Sequence, residues 1–162
     1  MVGMKEFDIV DVVKSMKPKC IVELGTGDGY TAARIMEALL PDATLTTINW
    51  TNPPSGDHPY RYLLKWLQDK RLHLIYGDTR DSVVFERVPD CIDLLHIDST
   101  HTADCANAEW SLYHPKLVDG AFVVVDDLDH NDMMSFWKLL PYNKTTERDG
   151  KMGVFTYNRS RA

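Results

Sequence analysis

Two short segments place carboxylates and imidazoles where an apolar run stops. They read Leu95-His96-Ile97-Asp98-Ser99-Thr100-His101 and Val125-Asp126-Asp127-Leu128-Asp129-His130. Carboxylates brought to one crevice repel one another unless a cation or a substrate group balances them. Oxygen donors from Asp98, Asp126 and Asp127 suit Mg2+ or Ca2+, with water and substrate in the remaining positions. The imidazole of His101 titrates where a hydroxyl proton can be taken near neutrality; it could equally ligate the metal or cap the next helix. The plain alternative is an acidic sheet edge whose aspartates cap helices near His101 and His130, and for Asp129 that reading is preferred. His130 is a secondary candidate, His96 lies within a strand, and His58, His73 and His114 read as surface or packing residues.

A second constellation is Glu23-Leu24-Gly25-Thr26-Gly27-Asp28-Gly29-Tyr30. Alternating glycines let a chain turn sharply and let a ligand touch its backbone. The dinucleotide fingerprint G-x-G-x-x-G is not met, because position 30 is Tyr, and no Gly-Lys-Ser/Thr follows to make a P-loop. Glu23 and Asp28 would repel a pyrophosphate and suit a ligand with a cationic end, such as an amino acid or a sulfonium. A tight strand-to-helix turn without a ligand is the alternative.

The elements that must position these residues alternate. Helical spacing is read over Met4–Met16, Thr31–Leu40, Tyr60–Lys70, Arg80–Arg87, His101–His114 and His130–Leu140. Strand-like runs are Lys19–Leu24, Ala43–Trp50, Leu72–Tyr76, Cys91–Asp98 and Ala121–Asp126. Lys144–Arg148 and Met152–Asn158 close the chain around Asp149-Gly150, a hairpin signal. Strand alternating with helix predicts an α/β, doubly wound, Rossmann-like, mostly parallel sheet with helices on both faces and a C-terminal antiparallel hairpin. In such a sheet the two acidic segments and the glycine loop open on one crevice at the carboxyl ends of the strands.

Composition agrees. The 162 residues, 44% apolar and 26% charged, fit one globular domain, 1–162, and leave no room for a separate substrate domain. No apolar stretch reaches the roughly 20 residues of a membrane span, and the charged N-terminus is no signal peptide. With 18 basic and 24 acidic residues, a net of −6, general nucleic-acid binding is disfavoured. Cys20, Cys91 and Cys105 lack CxxC spacing; Cys20 and Cys91 begin apolar runs as small hydrophobes, and a reducing, cytoplasmic setting follows most simply.

The glycine block resembles motif I of class I S-adenosylmethionine (SAM)-dependent methyltransferases, and the seven strands with their terminal hairpin are similar to that family's sheet. The resemblance runs from about Met4 to Asn158. It implies Glu23 near the methionine amino end of the cofactor, with Gly25, Thr26, Gly27, Gly29 and Tyr30 along it. Asn49, ending the second strand, stands where the family usually has an acidic residue for the ribose hydroxyls, and Asn can replace only part of that contact. Trp50 could pack on adenine or cover the sheet edge, and Tyr76-Gly77-Asp78-Thr79 resembles the adenine-reading turn.

Ile97-Asp98 followed by His101, and the run Tyr113 to Asp127, resemble the catechol O-methyltransferase and cephalosporin-hydroxylase-type branch. In that branch the matching carboxylates, Asp98, Asp126 and Asp127, hold a divalent metal; His101 takes the place of the catechol-type lysine base. The implied function is methyl transfer from SAM to a hydroxyl of a small molecule or saccharide. Catalysis would fall to His101 and Asp98, with Asp98 also facing the cofactor. The rivals are a SAM-binding module or inactive subunit on the same fold, and a nicotinamide-dependent oxidoreductase. Asn52-Pro53-Pro54 superficially resembles an amino-methyltransferase motif but follows the wrong strand. So short a chain leaves the acceptor site very open or completed by another copy, and a homodimer closing the crevice is the preferred expectation.

Overall fold

The computed structural model describes residues 7–50, 61–147 and 149–161. Its strands are β1 (Cys20–Leu24), β2 (Thr44–Asn49), β3 (Leu72–Tyr76), β4 (Ile92–Ile97), β5 (Leu117–Val125), β6 (Lys144–Thr146) and β7 (Gly153–Thr156). Helices α1 (Ile9–Met16), α2 (Tyr30–Ala38), α3 (Ser82–Phe85), α4 (Ala103–Tyr113) and α5 (Met133–Leu139) connect them. The sheet order is β3-β2-β1-β4-β5-β7-β6. Strands β1 to β5 run parallel, and β7 runs antiparallel between β5 and β6.

Alternation along the central strands sends side chains to two cores, as the pleat requires. Ile21, Leu45, Leu94 and Val124 meet α1 and α2 through Ile9, Val12, Ile35 and Met36. Val22, Leu24, Leu95 and Val123 meet the opposite layer through Ala106, Tyr113 and Phe136. With both faces covered, strands such as Cys20–Leu24 are buried along their whole length. Among the described residues no helix is long and apolar enough to cross a membrane.

Winding runs outward through β2 and β3 on one side of β1, then reverses to β4 and β5 on the other. That reversal leaves a crevice beyond the carboxyl ends of β1 and β4. Hydrogen bonds continue past the strand ends and fix what faces it. Gly25 N donates to Ile48 O (3.0 Å), Asp98 N to Leu24 O (2.9 Å) and Asp126 N to Ile97 O (3.0 Å).

Several boundaries differ from the sequence reading. Helix α1 starts at Ile9, because Asp8 caps it: its carboxylate accepts from Val10 N and Asp11 N, and Asp11 returns a bond to Asp8 N. Of the expected helix over Tyr60–Lys70, the described residues 61–70 form turns with one 3-10 turn, Leu64–Trp66. There Leu63 alone is fully buried, while Leu64 and Leu67 face solvent. Strand β5 begins at Leu117, ahead of Ala121, and passes through Gly120 at φ +88° with a register shift against β4. Cys20 is buried as expected, whereas Cys91 is exposed, because β4 starts one residue later. The readings on Asn52-Pro53-Pro54 and His58 lie outside the described residues.

Candidate active site

A cavity of about 550 Å3 occupies the crevice. Of the residues expected from sequence, Gly25, Thr26, Gly27, Asn49, Trp50, Asp78, Thr79, Asp98 and His101 line it. Thr31, Arg80, Ser99 and Thr100 also line it, which sequence reasoning missed although each adjoins an expected loop. The volume falls within the usual range for small-molecule sites.

The glycines serve different purposes. A Cβ on Gly25 would stand 1.9 Å from Asp98 O, so this glycine lets the β1 and β4 loops touch. One on Gly27 (φ +52°) would meet nothing within 4 Å; its bare backbone faces open space where a ligand can rest. Gly29 admits Leu63 beside the start of α2 and does not line the cavity, and Tyr30 stands outside it, edge-on to Tyr62.

Glu23 lies beneath the loop, with no surface exposed, and is not part of the cavity lining. Its Oε2 accepts from the Thr47 hydroxyl (2.5 Å), which also bonds the Thr26 hydroxyl (2.7 Å). Its Oε1 stands 3.5 Å from His96 Nδ1, the parallel register having set Glu23 beside His96. Burial pushes the Glu23 carboxyl up, against the pull of His96. His96, equally buried, is held above its ordinary range by Glu23, Asp98 and Asp126 despite desolvation. Sequence reasoning passed over His96 because its carboxylate neighbours appear only once the strands are in register.

At the rim, His101 Nε2 lies 3.1 Å from Asp98 Oδ1 and 3.3 Å from Asp127 Oδ2. His101 (φ +52°) and Asp127 (φ +51°) both adopt left-handed backbone. Non-glycine residues rarely do so, and such strain gathers at functional sites. The loops are tied further by Asn131 Nδ2 donating to His101 O (2.8 Å) and Ala103 N donating to Asp132 Oδ1 (2.8 Å). Thr102 caps α4, so neither Asp98 nor His101 has that task. The hydrogen bond to Asp98 raises the His101 pKa, burial opposes it, and Asp127 and Asp98 add their charge. Burial and the neighbouring Asp98 charge raise Asp126.

Donor atoms within 4.8 Å of one another form the sets His96-Asp98-Asp126, Asp98-His101-Asp127 and Asp127-Asp129-His130. Asp98 is common to the first two, and the three expected metal aspartates do not fall in one set. The donor chemistry fits a divalent cation: hard carboxylate oxygens beside a buried imidazole whose Nε2 has no hydrogen-bond partner.

Elsewhere in the lining, both oxygens of Asp78 are held by Arg80, at 2.9 and 2.7 Å, which lowers the Asp78 pKa. Behind them the Thr79 hydroxyl donates to Glu109, a fully buried residue of α4 that burial holds above its ordinary range. With a raised native pKa, Glu109 loses stabilising influence as pH climbs above 4.5 toward that value. Glu109→Gln should therefore gain stability relative to wild type between pH 4 and pH 8 in paired thermal melts. A difference independent of pH would contradict the assignment.

The winding order, antiparallel penultimate position and glycine-lined crevice define a class I SAM-dependent methyltransferase fold. A family model described as a methyltransferase domain matches residues 22–128, and the chain belongs to that family. Catechol O-methyltransferases from Sus scrofa and Bos taurus are each 37% identical over 84 residues, 51% of this chain. The match spans 44% and 30% of those proteins, less than half of either. Among solved structures, the O-methyltransferase TomG from Streptomyces achromogenes, in complex with SAM, superposes at a TM-score of 0.69 with 19% identity, covering 92% of this chain and 77% of that one. MycE of the mycinamycin pathway, in complex with Mg, SAH and mycinamycin VI, gives 0.67 with 13% identity, covering 91% and 48%.

Proposed function

We propose that this chain transfers a methyl group from SAM to a hydroxyl oxygen of a small molecule or saccharide, with a divalent cation at the acidic rim. The reading is carried by Asp98-His101-Asp127, an imidazole between two carboxylates at the mouth of a glycine-lined cavity. TomG with SAM and MycE with Mg and SAH support it by analogy of fold.

SAM supplies a methyl already electrophilic on sulfur, and a cation held by Asp98 with its neighbouring donors would lower the acceptor hydroxyl's pKa. The chain's own work is alignment and proton removal. The backbone of Gly25 and Gly27 gives the cofactor a close surface, and Trp50, three-quarters exposed, offers its ring at the cavity wall. With Nε2–H donating to Asp98 and Asp127, His101 receives the hydroxyl proton at its other ring nitrogen, and the two carboxylates stabilise the imidazolium.

A base works only when deprotonated, and the flanking carboxylates favour the protonated form of His101. The acid limb of the pH–rate profile should therefore lie above the ordinary imidazole value of 6.5. A cation on the same carboxylates opposes protonation, so raising its concentration should move the limb to lower pH. His101→Gln should flatten the limb; an unchanged profile would remove His101 as the base.

Asn49 in place of an acidic residue favours a second reading, a SAM-binding module without turnover. Its Nδ2 approaches Gly27 O at 3.5 Å. Calorimetry with SAH and an assay of SAH release over a pool of hydroxyl compounds separate the two. Binding without release supports the module, and no binding overturns both.

A further inference from the structure

We infer that the cation site is closed from inside the sheet by His96, so that His96, Asp98 and Asp126 form the ligand set and the bound ion is a first-row transition-metal dication. This rests on the proposed methyl-transfer reading and refines its metal site. His96 has no exposed surface; Nδ1 meets only the Glu23 carboxylate at 3.5 Å, and Nε2 has no hydrogen-bond partner. A buried ring nitrogen left without a partner is costly, and a bound cation would satisfy it.

The surroundings say what that is. Glu23 Oε1 stands 3.5 Å from Nδ1 on the neighbouring strand, and Thr47 fixes the same carboxylate through Oε2. A carboxylate on one ring nitrogen sets the tautomer and leaves the other as a ligand, the arrangement that commonly supports metal-bound histidines. A ring nitrogen of His96 and oxygens of Asp98 and Asp126 lie within 4.8 Å of one another, close enough to share one ion. Asp127 is not grouped with His96 and Asp126; it joins Asp98 only in the outer set with His101. One imidazole with two carboxylates shifts preference from Mg2+ toward Mn2+, Fe2+ or Co2+, because imidazole is a poor partner for hard Mg2+.

Mn2+ is the probe, added to the full chain with SAH present. The His101→Gln/His130→Gln double variant keeps His96 as the imidazole of the cluster and leaves the strands untouched. Pulsed electron paramagnetic resonance should show 14N coupling to Mn2+ in this variant as in wild type. Tenfold excess Mg2+ should fail to displace the Mn2+. Glu23→Gln should weaken Mn2+ binding about 10- to 100-fold by calorimetry. Bound Mn2+ without 14N coupling would overturn the inference and leave the methyl-transfer reading intact. SAH binding with no Mn2+ binding would overturn the inference and the metal assistance, but not the cofactor site. Failure to bind SAH would instead fell the functional reading itself.

Discussion

Asp98→Asn is expected to reduce methyl transfer about 10^3-fold, equivalent to several kcal/mol of transition-state stabilisation. Asp98 belongs to both inner and outer donor sets, and it also holds His101 at 3.1 Å. Asparagine keeps the shape and the backbone bond to Leu24 O but removes the charge. Its loss lessens repulsion on Asp126, whose carboxyl the Asp98 charge helps to raise. The folded chain should then be as stable as wild type or slightly more so. Single-turnover release of SAH and a thermal melt check the two halves. Turnover within tenfold of wild type would remove Asp98 from the chemistry.

Gly25→Ala should do the reverse, ruining the fold before the chemistry. The new methyl would lie 1.9 Å from Asp98 O, 2.6 Å from Asp98 C and 2.9 Å from Ser99 Cα, all backbone atoms. No side chain can swing aside, and φ of +105° is itself unfavourable for alanine. Separating β1 and β4 loops that are hydrogen-bonded into the sheet should cost about 4 kcal/mol or more, roughly 10 °C in Tm. Gly27→Ala is the matched comparison, with φ +52° and open space around the new methyl. It should lose only about 1–2 kcal/mol while weakening SAH binding. Equal melting temperatures for the two variants would contradict the contact at Gly25.

These contrasts show what a sequence can and cannot reveal. The central strands were legible because runs such as Ala121 to Val125 have few other stable fates in an α/β chain, and β3 was placed to the residue. The crevice followed from the alternation, so most of its lining was named in advance. The spacing over Tyr60–Lys70 predicts a helix because scattered leucines imitate a helical face, whereas within residues 61–70 only Leu63 is fully buried. His96 was passed over for a different reason. A histidine inside an apolar strand declares nothing until register places Glu23 beside it. Glu23 itself, expected against the cofactor, has no exposed surface and stands outside the cavity lining, held by Thr47 and facing His96.

The position of β7 bears on how the chain is made. β5 ends at Val125, and the strand that covers its outer edge begins at Gly153. At a synthesis rate of roughly 5–20 residues per second, that edge waits about 1 to 6 s for its neighbour to be made. Through that interval Phe122-Val123-Val124-Val125 presents unpaired backbone and dense β-branched surface, a template for pairing with another chain. Weakening β7 should thus lower the yield of soluble protein from the ribosome more than it lowers the stability of molecules that have already folded.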